Sequence, residues 1–399
     1  MAIVLNRPLQ VVAGLAPESL AELVDTALDG NGPAVLPIAP GTPPARVRAL
    51  VEAMRPHSVR TPEGTENLGD GVAVSADTAL VIATSGSTGT PKGVELGADA
   101  LRHSARASVE RMGARTGEAW LCVLPTAHVS GLQVGLRARA LGTTALYREF
   151  DAVEVLELAA RHRPHVSLVP TQLRRLLALS GDLSAFRTVL LGGAAADPGL
   201  LIAARAAGAR VITTYGMSET CGGCVYDGLP LADVSVEVDD EGLVRLGGPV
   251  LFNGYRLRPD LTALHLEGSG DRIRFRTGDL GALDAGGSLR VRGRVDDVIN
   301  TGGHKVVAGE VAELLTRLDS VAEAAVVGRP DPEWGERVSA VVVPSDPGAP
   351  PALTELRDWV GRHLPRYAAP REVEVRSSLP LLASGKPDLR ALITPSAPD

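Results

Sequence analysis

At 399 residues the chain exceeds the size at which a single hydrophobic core usually stops growing, so two or more domains are expected. Hydrophobic residues make up 45% and charged residues 22%, which is typical of a globular protein and excludes a disordered or fibrous one. A net charge of −7 without clustered basic residues argues against a nucleic-acid surface. No apolar run approaches the ~20 residues that span a bilayer, and the first residues do not resemble a secretory signal. Three cysteines are too few for a disulfide framework. We therefore expect a cytoplasmic protein.

Short apolar runs alternate with helix-like segments from about residue 80 to residue 215. Strands are predicted at Leu80–Thr84, Trp120–Leu124, Val166–Val169, Thr188–Leu191 and Arg210–Thr214. The 3.6-residue apolar period predicts helices over Asp99–Met112, Asp151–His162, Thr171–Leu179 and Pro198–Ala207. This alternation predicts an α/β fold with a largely parallel sheet.

The pattern changes after residue 233. Short strands separated by Gly and Asp turns predict a β-rich subdomain over residues 233–294. A compact α+β unit follows. Its helices are predicted at Gly309–Leu318 and Leu353–Leu364, and its strands at Ala324–Val327, Ser339–Val343 and Glu372–Arg376. The first 75 residues contain periodic segments but no motif that carries chemistry.

The strongest local signal is the segment TSGSTGTPKG, residues 84–93, which directly follows a predicted strand. Glycines let backbone N–H groups approach an anion, hydroxyls donate further hydrogen bonds and Lys92 supplies positive charge, so the segment predicts a phosphate site. It is not a Walker A loop, because Pro91 stands where that motif has its second glycine. The residues predicted to contact phosphate are Thr84, Ser85, Gly86, Ser87, Thr88, Gly89 and Lys92.

Lysine is nearly absent from the chain. Of 40 basic residues only Lys92, Lys305 and Lys386 are lysines, and all three lie in glycine-containing segments. A lysine retained where arginine is the default cation indicates a site that needs a compact point charge.

The segment TSGSTGTPKG resembles the phosphate loop of the adenylate-forming superfamily, which includes the acyl-CoA synthetases. Five further superfamily signatures follow in the expected order: YGMSET at 215–220, RTGD at 276–279, GRVDD at 293–297, TGGHKV at 301–306 with Glu310 beyond it, and SGK at 384–386. The resemblance implies a large N-terminal ATP- and acyl-binding domain (residues 1–295) and a small mobile C-terminal domain (residues 297–399), hinged at Asp296. The chain is shorter than most members before the phosphate loop, which leaves open whether it has their N-terminal sheet layer.

The resemblance also implies roles for individual residues. Glu219 would bind Mg²⁺ beside the nucleotide phosphates, which suits a carboxylate oxygen. Lys386 would stabilise the charge that develops when a carboxylate attacks the α-phosphate, where an ammonium acts most strongly. Tyr215 would stack on adenine and Asp279 would accept hydrogen bonds from the ribose. His128 would act with Lys386 and Glu219 in catalysis, by orienting the reacting carboxylate and gating access of the thiol. The remaining residues implied in the ATP site are Gly193, Ala194, Gly216, Ser218 and Arg294. Those in the acyl site are His128, Ser130 and Gly193, and those that meet the thiol of coenzyme A are Gly302 and Gly303.

The implied activity is that of an ATP-dependent acid–thiol ligase, which forms an acyl-adenylate and then an acyl-CoA thioester while the small domain rotates between the two half-reactions. Three segments, LPTAHVSG at 124–131, SLVPTQLRRLL at 167–177 and VLLGGA at 189–194, are similar to the o-succinylbenzoate–CoA ligases of menaquinone biosynthesis. Since that substrate is a dicarboxylate, its second carboxylate needs a cation, and Arg175 is the candidate.

Three alternatives stay open at this point. The chain could ligate another aryl or alkyl acid to coenzyme A, load an acyl group onto a carrier-protein thiol, or bind an adenylate without catalysis. The expected partners are a small carboxylic acid, ATP, coenzyme A and Mg²⁺, with no nucleic acid and no membrane insertion. The oligomeric state, a homodimer included, is left open.

Overall fold

The computed structural model describes residues 6–85, 91–179, 181–194, 198–381 and 387–394. The helices in these ranges are α1 (Pro17–Leu28), α2 (Pro44–Met54), α3 (Ala98–Met112), α4 (Val129–Ala140), α5 (Ala152–His162), α6 (Pro170–Ala178), α7 (Pro198–Ala206), α8 (Pro259–His265), α9 (Ala308–Leu315), α10 (Leu353–His363) and α11 (Leu389–Ile393). Within the described ranges, no helix is both long enough and apolar enough to cross a membrane.

The strands fall into several sheets. Those of the first half are β1 (Asn6–Arg7), β2 (Leu9–Ala13), β3 (Ala34–Ile38), β4 (Ser58–Thr61), β5 (Gly64–Asn67), β6 (Val74–Ser75), β7 (Thr78–Ser85), β8 (Pro91–Gly97), β9 (Trp120–Cys122), β10 (Ala145–Tyr147), β11 (His165–Leu168), β12 (Thr188–Leu191) and β13 (Val211–Met217). Those of the second half are β14 (Gly222–Tyr226), β15 (Leu229–Pro230), β16 (Ser235–Val238), β17 (Leu243–Gly247), β18 (Gly254–Tyr255), β19 (Leu266–Glu267), β20 (Arg274–Leu283), β21 (Leu289–Arg294), β22 (Val298–Thr301), β23 (His304–Val307), β24 (Val321–Asp331), β25 (Gly335–Pro344) and β26 (Glu372–Val375).

The predicted parallel sheet is confirmed for four of its five strands. Its order is β10-β9-β11-β12-β13, all parallel, and it continues antiparallel into β14 and β15. Alternate residues of each strand face opposite sides of the sheet. Helices α3 and α4 cover one face together with Trp120 and Cys122, while α5, α6 and α7 cover the other with Leu121 and Val123. Burial of both faces explains why these strands are continuous apolar runs.

A strand does form at Leu80–Thr84, within β7, but the prediction that it belongs to the parallel sheet was wrong. It belongs to a second sheet of order β18-β8-β7-β3-β2-β4-β5, where it pairs antiparallel with β8. The phosphate segment therefore connects the two strands of a hairpin and does not lead into a helix. Strands β2, β3 and β4, from the N-terminal 75 residues, pair parallel in this sheet. The sheet layer that the sequence left open is present.

Two smaller β structures follow the large sheets. The predicted β-rich subdomain contains β16, β17, β19, β20 and β21, and the predicted α+β unit contains β22 to β26 with α9, α10 and α11. Two hydrophobic clusters consist only of residues after Val298, and the other four only of residues before Arg292. Asp296 lies in the short turn Val295–Asp297 between β21 and β22 and is exposed. Its role as a hinge stays a prediction.

A buried arginine ties the N-terminal segment to the second sheet. The guanidinium of Arg256, 4% exposed, donates to the carbonyls of Met54 (3.0 Å) and Ala73 (3.0 Å) and pairs with the carboxylate of Glu95 (3.4 Å). The guanidinium also donates to the carbonyls of Arg55 and Val72. We predict that Arg256→Met destabilises the fold by about 3–5 kcal/mol, because it leaves a largely buried carboxylate and four backbone carbonyls without their donor. Urea unfolding followed by tryptophan fluorescence measures the shift of the midpoint.

Arg258→Met is the matched control. Arg258 pairs with Asp260 at the surface, where water screens the interaction, so the midpoint should stay close to that of the unmodified protein. Equal midpoints for the two variants would contradict the structural role given to Arg256.

Candidate active site

The carboxyl edge of the parallel sheet has a topological switch point between β9 and β11. The chain leaves β9 through α4 toward β10 on one side, and returns through α5 to β11 on the other, so the strand order reverses at this point. Ligands of open α/β sheets bind at such a reversal. The segments that leave this edge carry the predicted residues His128, after β9, and Gly193 and Ala194, after β12.

Glycine permits the close approach of two of these segments. A Cβ on Gly192 would lie 2.4 Å from the Thr214 hydroxyl oxygen, and the Gly192 amide donates to the carbonyl of Leu168 (3.1 Å). A Cβ on Gly216 would lie 2.1 Å from the Gly222 carbonyl oxygen. Side chains at these positions would push the strand ends apart, so the glycines keep this edge of the sheet compact.

Three of the predicted residues form one hydrogen-bonded group at the end of β13. The Tyr215 hydroxyl donates to Asp279 Oδ2 (2.7 Å), and an Arg294 guanidinium nitrogen donates to Asp279 Oδ1 (3.3 Å). Burial raises the pKa of Tyr215, and the adjacent Asp279 carboxylate raises it further, so the hydroxyl keeps its proton. The carboxylate is 7% exposed and held from both sides, which fixes its orientation.

A second group joins Glu219, Tyr255 and Lys92. The Tyr255 hydroxyl donates to Glu219 Oε1 (2.9 Å), and Lys92 Nζ lies 5.6 Å from the centre of the Tyr255 ring. Burial and then the Glu219 carboxylate raise the pKa of Tyr255, so this hydroxyl is also a donor. Strand β18, which contains Tyr255, pairs with β8, which contains Lys92. Tyr255 thus positions both the predicted metal ligand and the predicted phosphate ligand.

The acyl-site prediction centres on His128, which precedes the first residue of α4. Its carbonyl accepts hydrogen bonds from the amides of Gly131 and Leu132 (3.1 Å each). A Cβ on Gly131 would lie 2.4 Å from the Pro125 carbonyl oxygen, so this glycine lets the helix begin against the preceding turn. Burial lowers the pKa of the imidazole, which is therefore neutral near pH 7. Ser130 is exposed at the same end of the helix.

In the described residues, Arg175, Gly302 and Gly303 are not joined to these groups. Arg175 lies exposed in the last turn of α6. Gly302 and Gly303 form the exposed turn between β22 and β23, with φ angles of +57° and +79° that favour glycine. The Gly302 amide donates to the Trp334 carbonyl (2.9 Å), and a Cβ on Gly302 would lie 2.6 Å from the Trp334 ring. The roles of these residues stay predictions.

Several predictions fall outside the described residues. These are Gly86, Ser87, Thr88, Gly89 and Lys386, and of Ser85 only the backbone is described. The strand pairs that flank these two segments, Thr84 with Lys92 and Leu381 with Pro387, lie within the described residues. Ser218 lies with Glu219 in the single turn Ser218–Thr220 that follows β13.

Sequence reasoning missed Tyr255 and Trp334. Aromatic residues make up 3% of the chain, and both lie outside the six superfamily segments, so their rarity was the one signal available. Their contacts join elements distant in sequence, which no local pattern reveals.

Comparison with known proteins shows similarity over the whole chain. The AMP-binding enzyme family matches residues 61–260, and its C-terminal domain family matches residues 310–386. A protein of Mycobacterium tuberculosis named probable 2-succinylbenzoate–CoA ligase is 38% identical over 97% of both chains. A 2-succinylbenzoate–CoA ligase of Enterococcus faecalis is 33% identical over 77% of this chain and 67% of its own. The structure of o-succinylbenzoate CoA synthetase from Bacillus subtilis, in complex with its acyl-adenylate intermediate, superposes with a TM-score of 0.82 at 26% identity, covering 98% of this chain and 89% of that one.

We predict that His128 titrates below its ordinary pKa of 6.5, because burial disfavours the imidazolium. In a two-dimensional NMR titration, its ring signal, assigned by its loss in His128→Gln, should have its midpoint below pH 6.5. The unfolded chain takes up this proton near pH 6.5 and the folded chain only at lower pH. Stability from this group is therefore complete above pH 6.5 and falls as the pH decreases below it. A midpoint at or above 6.5 would contradict the burial described.

Proposed function

The chain belongs to the AMP-binding enzymes, and we propose that it catalyses the ATP-dependent ligation of 2-succinylbenzoate to coenzyme A, with release of AMP and pyrophosphate. The observation that carries the proposal is the full-length similarity to the mycobacterial protein of that name. The Bacillus subtilis enzyme with bound acyl-adenylate supports it through the same fold. The free, buried cysteines Cys122, Cys221 and Cys224 suit a cytoplasmic enzyme.

The nucleotide would lie against the group at the end of β13. The Tyr215 ring offers a face for adenine, and its hydroxyl donates a hydrogen bond to Asp279 and orients it. Asp279 can then accept hydrogen bonds from the ribose hydroxyls, while Arg294 balances its charge. Lys92 and the phosphate segment would receive the triphosphate, with Thr84 and Lys92 paired at its base.

Magnesium fits the Glu219 carboxylate. Oε1 accepts from Tyr255, which leaves Oε2 for an ion. Across the described part of the chain, no group of three or more metal-ligating side chains converges, so the ion would need nucleotide oxygens and water to complete its shell, as Mg²⁺ prefers. When bound, the ion would neutralise phosphate charge.

In the first half-reaction, a carboxylate oxygen of the substrate attacks the α-phosphorus of ATP and pyrophosphate leaves. The neutral His128 would orient this carboxylate by hydrogen bonding without neutralising it, which preserves its nucleophilicity. Lys386 would stabilise the charge that develops on the α-phosphate. In the second, the thiolate of coenzyme A attacks the acyl carbonyl carbon and AMP leaves.

We further propose that the two half-reactions use different arrangements of two domains, residues 1–295 and 297–399, that rotate about Asp296. The separate hydrophobic clusters on either side of this position support the division. The turn Gly302–Gly303 would meet the pantetheine thiol in the second arrangement. Its lack of side chains and its support on Trp334 suit close contact with a narrow ligand.

Pyrophosphate release with a panel of acids, with and without coenzyme A, tests the proposed function. We expect 2-succinylbenzoate to give the highest kcat/KM and coenzyme A to be required for turnover. Preference for another acid would transfer the assignment to a different acid–CoA ligase. Turnover that requires an acyl carrier protein instead of coenzyme A would overturn it.

We predict that Lys386→Ala lowers acid-dependent ATP–pyrophosphate exchange by orders of magnitude, because the charge on the α-phosphate loses its counter-ion. Thioester formation from supplied acyl-adenylate should largely survive, since this step takes place at a different arrangement of the small domain. Equal loss of both activities would mean that the lysine is structural or that the domain does not rotate.

We predict that Tyr255→Phe lowers kcat/KM for exchange at least about 10-fold and raises the Mg²⁺ concentration required, because Glu219 loses a hydrogen bond to its charged oxygen. Tyr147→Phe is the control, since the Tyr147 hydroxyl forms no hydrogen bond to any carboxylate in the described residues. Identical Mg²⁺ dependence of the two variants would refute the positioning role.

A further inference from the structure

A buried amide on α4 contacts the turn that carries Glu219. Gln133 is fully buried, and its Nε2 donates to the carbonyl of Cys221 (2.7 Å) and to the hydroxyl of Ser104 on α3 (3.3 Å). The Ser104 hydroxyl in turn donates to the Cys221 carbonyl (3.3 Å). Cys221 directly follows the turn Ser218–Thr220. The end of this turn is therefore fastened to two neighbouring helices through one carbonyl oxygen.

The peptide of Cys221 closes the turn in a conformation that residues with a side chain rarely adopt. Its amide donates to the carbonyl of Ser218 (3.1 Å), and its φ is +54°, in the left-handed region that favours glycine. A residue other than glycine stays in this region only where its surroundings hold it there. The hydrogen bond from Gln133 to the Cys221 carbonyl is such a restraint, and it acts two residues from Glu219.

The other restraints on Glu219 come from the segment that contains β18. The Glu219 carbonyl accepts a hydrogen bond from the Phe252 amide (2.9 Å), and its carboxylate accepts one from the Tyr255 hydroxyl (2.9 Å). These contacts fix one side chain and one carbonyl, and they leave the end of the turn to Gln133 and Ser104. The carboxylate is thus held in place by two structures that are distant in sequence.

The second polar atom of the Gln133 amide is unpaired. Its Oε1 has no hydrogen-bond partner among the described residues, and a buried polar atom without a partner destabilises a fold. An apolar side chain of similar size would avoid this cost, and the neighbouring residues Leu132 and Val134 are buried and apolar. A glutamine at this position is therefore explained by the hydrogen bond that it donates and not by its packing.

Helix α4 also connects this turn with the acyl side of the site. His128 directly precedes α4, and Gln133 follows it by roughly 7.5 Å along the helix axis. A Cβ on Gly222 would lie 3.3 Å from Gln133 Cγ, so the helix and the strand after the turn are in direct contact. Because a helix is stiff over this length, the contact also sets the position of the Glu219 turn relative to His128.

We propose that Gln133 is a positioning residue for the magnesium site. Through the Cys221 carbonyl it fixes the turn that presents Glu219 to the nucleotide phosphates, and it ties this turn to the helix that begins after His128. The inference rests on the proposed function, in which Glu219 binds Mg²⁺ beside the nucleotide. It gives Gln133 itself no contact with the ion or the substrate.

The test measures the binding of α,β-methylene-ATP, which cannot be cleaved between its α- and β-phosphates, by calorimetric titration with and without Mg²⁺. In the unmodified protein, Mg²⁺ should tighten the binding. Gln133→Met keeps a similar volume but removes the donor, so the tightening should fall about 2- to 12-fold, as expected for one neutral hydrogen bond. Affinity without Mg²⁺ should be unchanged. Ser104→Ala removes the longer of the two hydrogen bonds to Cys221 and should cause a smaller loss in the same direction.

Gln10→Met is the matched control. Gln10, on β2, is also buried, and its Nε2 donates to the Ser58 hydroxyl (3.0 Å) in the N-terminal sheet. Since this variant also removes a buried amide hydrogen bond, any effect of destabilisation alone should appear in it too, whereas we expect its Mg²⁺-dependent tightening to be that of the unmodified protein.

Thermal unfolding shows whether each variant is folded. If Gln133→Met does not fold, the comparison of Ser104→Ala with Gln10→Met decides the matter, because the serine hydroxyl acts on the same carbonyl. Equal Mg²⁺-dependent tightening in the variant used and in Gln10→Met overturns the inference and leaves the proposed function in place. An unmodified protein whose binding Mg²⁺ does not tighten overturns the proposed metal site instead.

Discussion

The hydrogen bond between Tyr215 and Asp279 joins the two parts of the molecule that the site depends on. Tyr215 lies near the end of β13 in the parallel sheet, and Asp279 lies on β20 of the β-rich subdomain. A carboxylate with 7% exposure must be fully satisfied, so the subdomain can dock only where the tyrosine and Arg294 reach it. Since Arg294 is the last residue of β21 before the turn Val295–Asp297, the same interaction also fixes where the chain leaves the β-rich subdomain.

Both carboxylates of the candidate site, Asp279 and Glu219, accept hydrogen bonds from tyrosine hydroxyls. A phenol with a raised pKa donates a hydrogen bond without adding a positive charge. In the proposed function, the positive charge that the phosphates need would come from the lysines. The chain has only three lysines, and the ammonium group of one of them, Lys92, lies over the ring of Tyr255.

Most of the helices and strands were predicted from apolar periods, which are local patterns. The residues that form the group at the end of β13 were named from short motifs, which are also local. Sequence reasoning assigned Leu80–Thr84 to the wrong sheet, since an isolated apolar run does not reveal its partners, and β8 was not predicted. It also did not predict α4, whose apolar residues face both the sheet and α3 and so lack a one-sided period. Tyr255 was missed for the same reason: its importance lies in its contact with Glu219, in the turn Ser218–Thr220, which comes from another part of the chain.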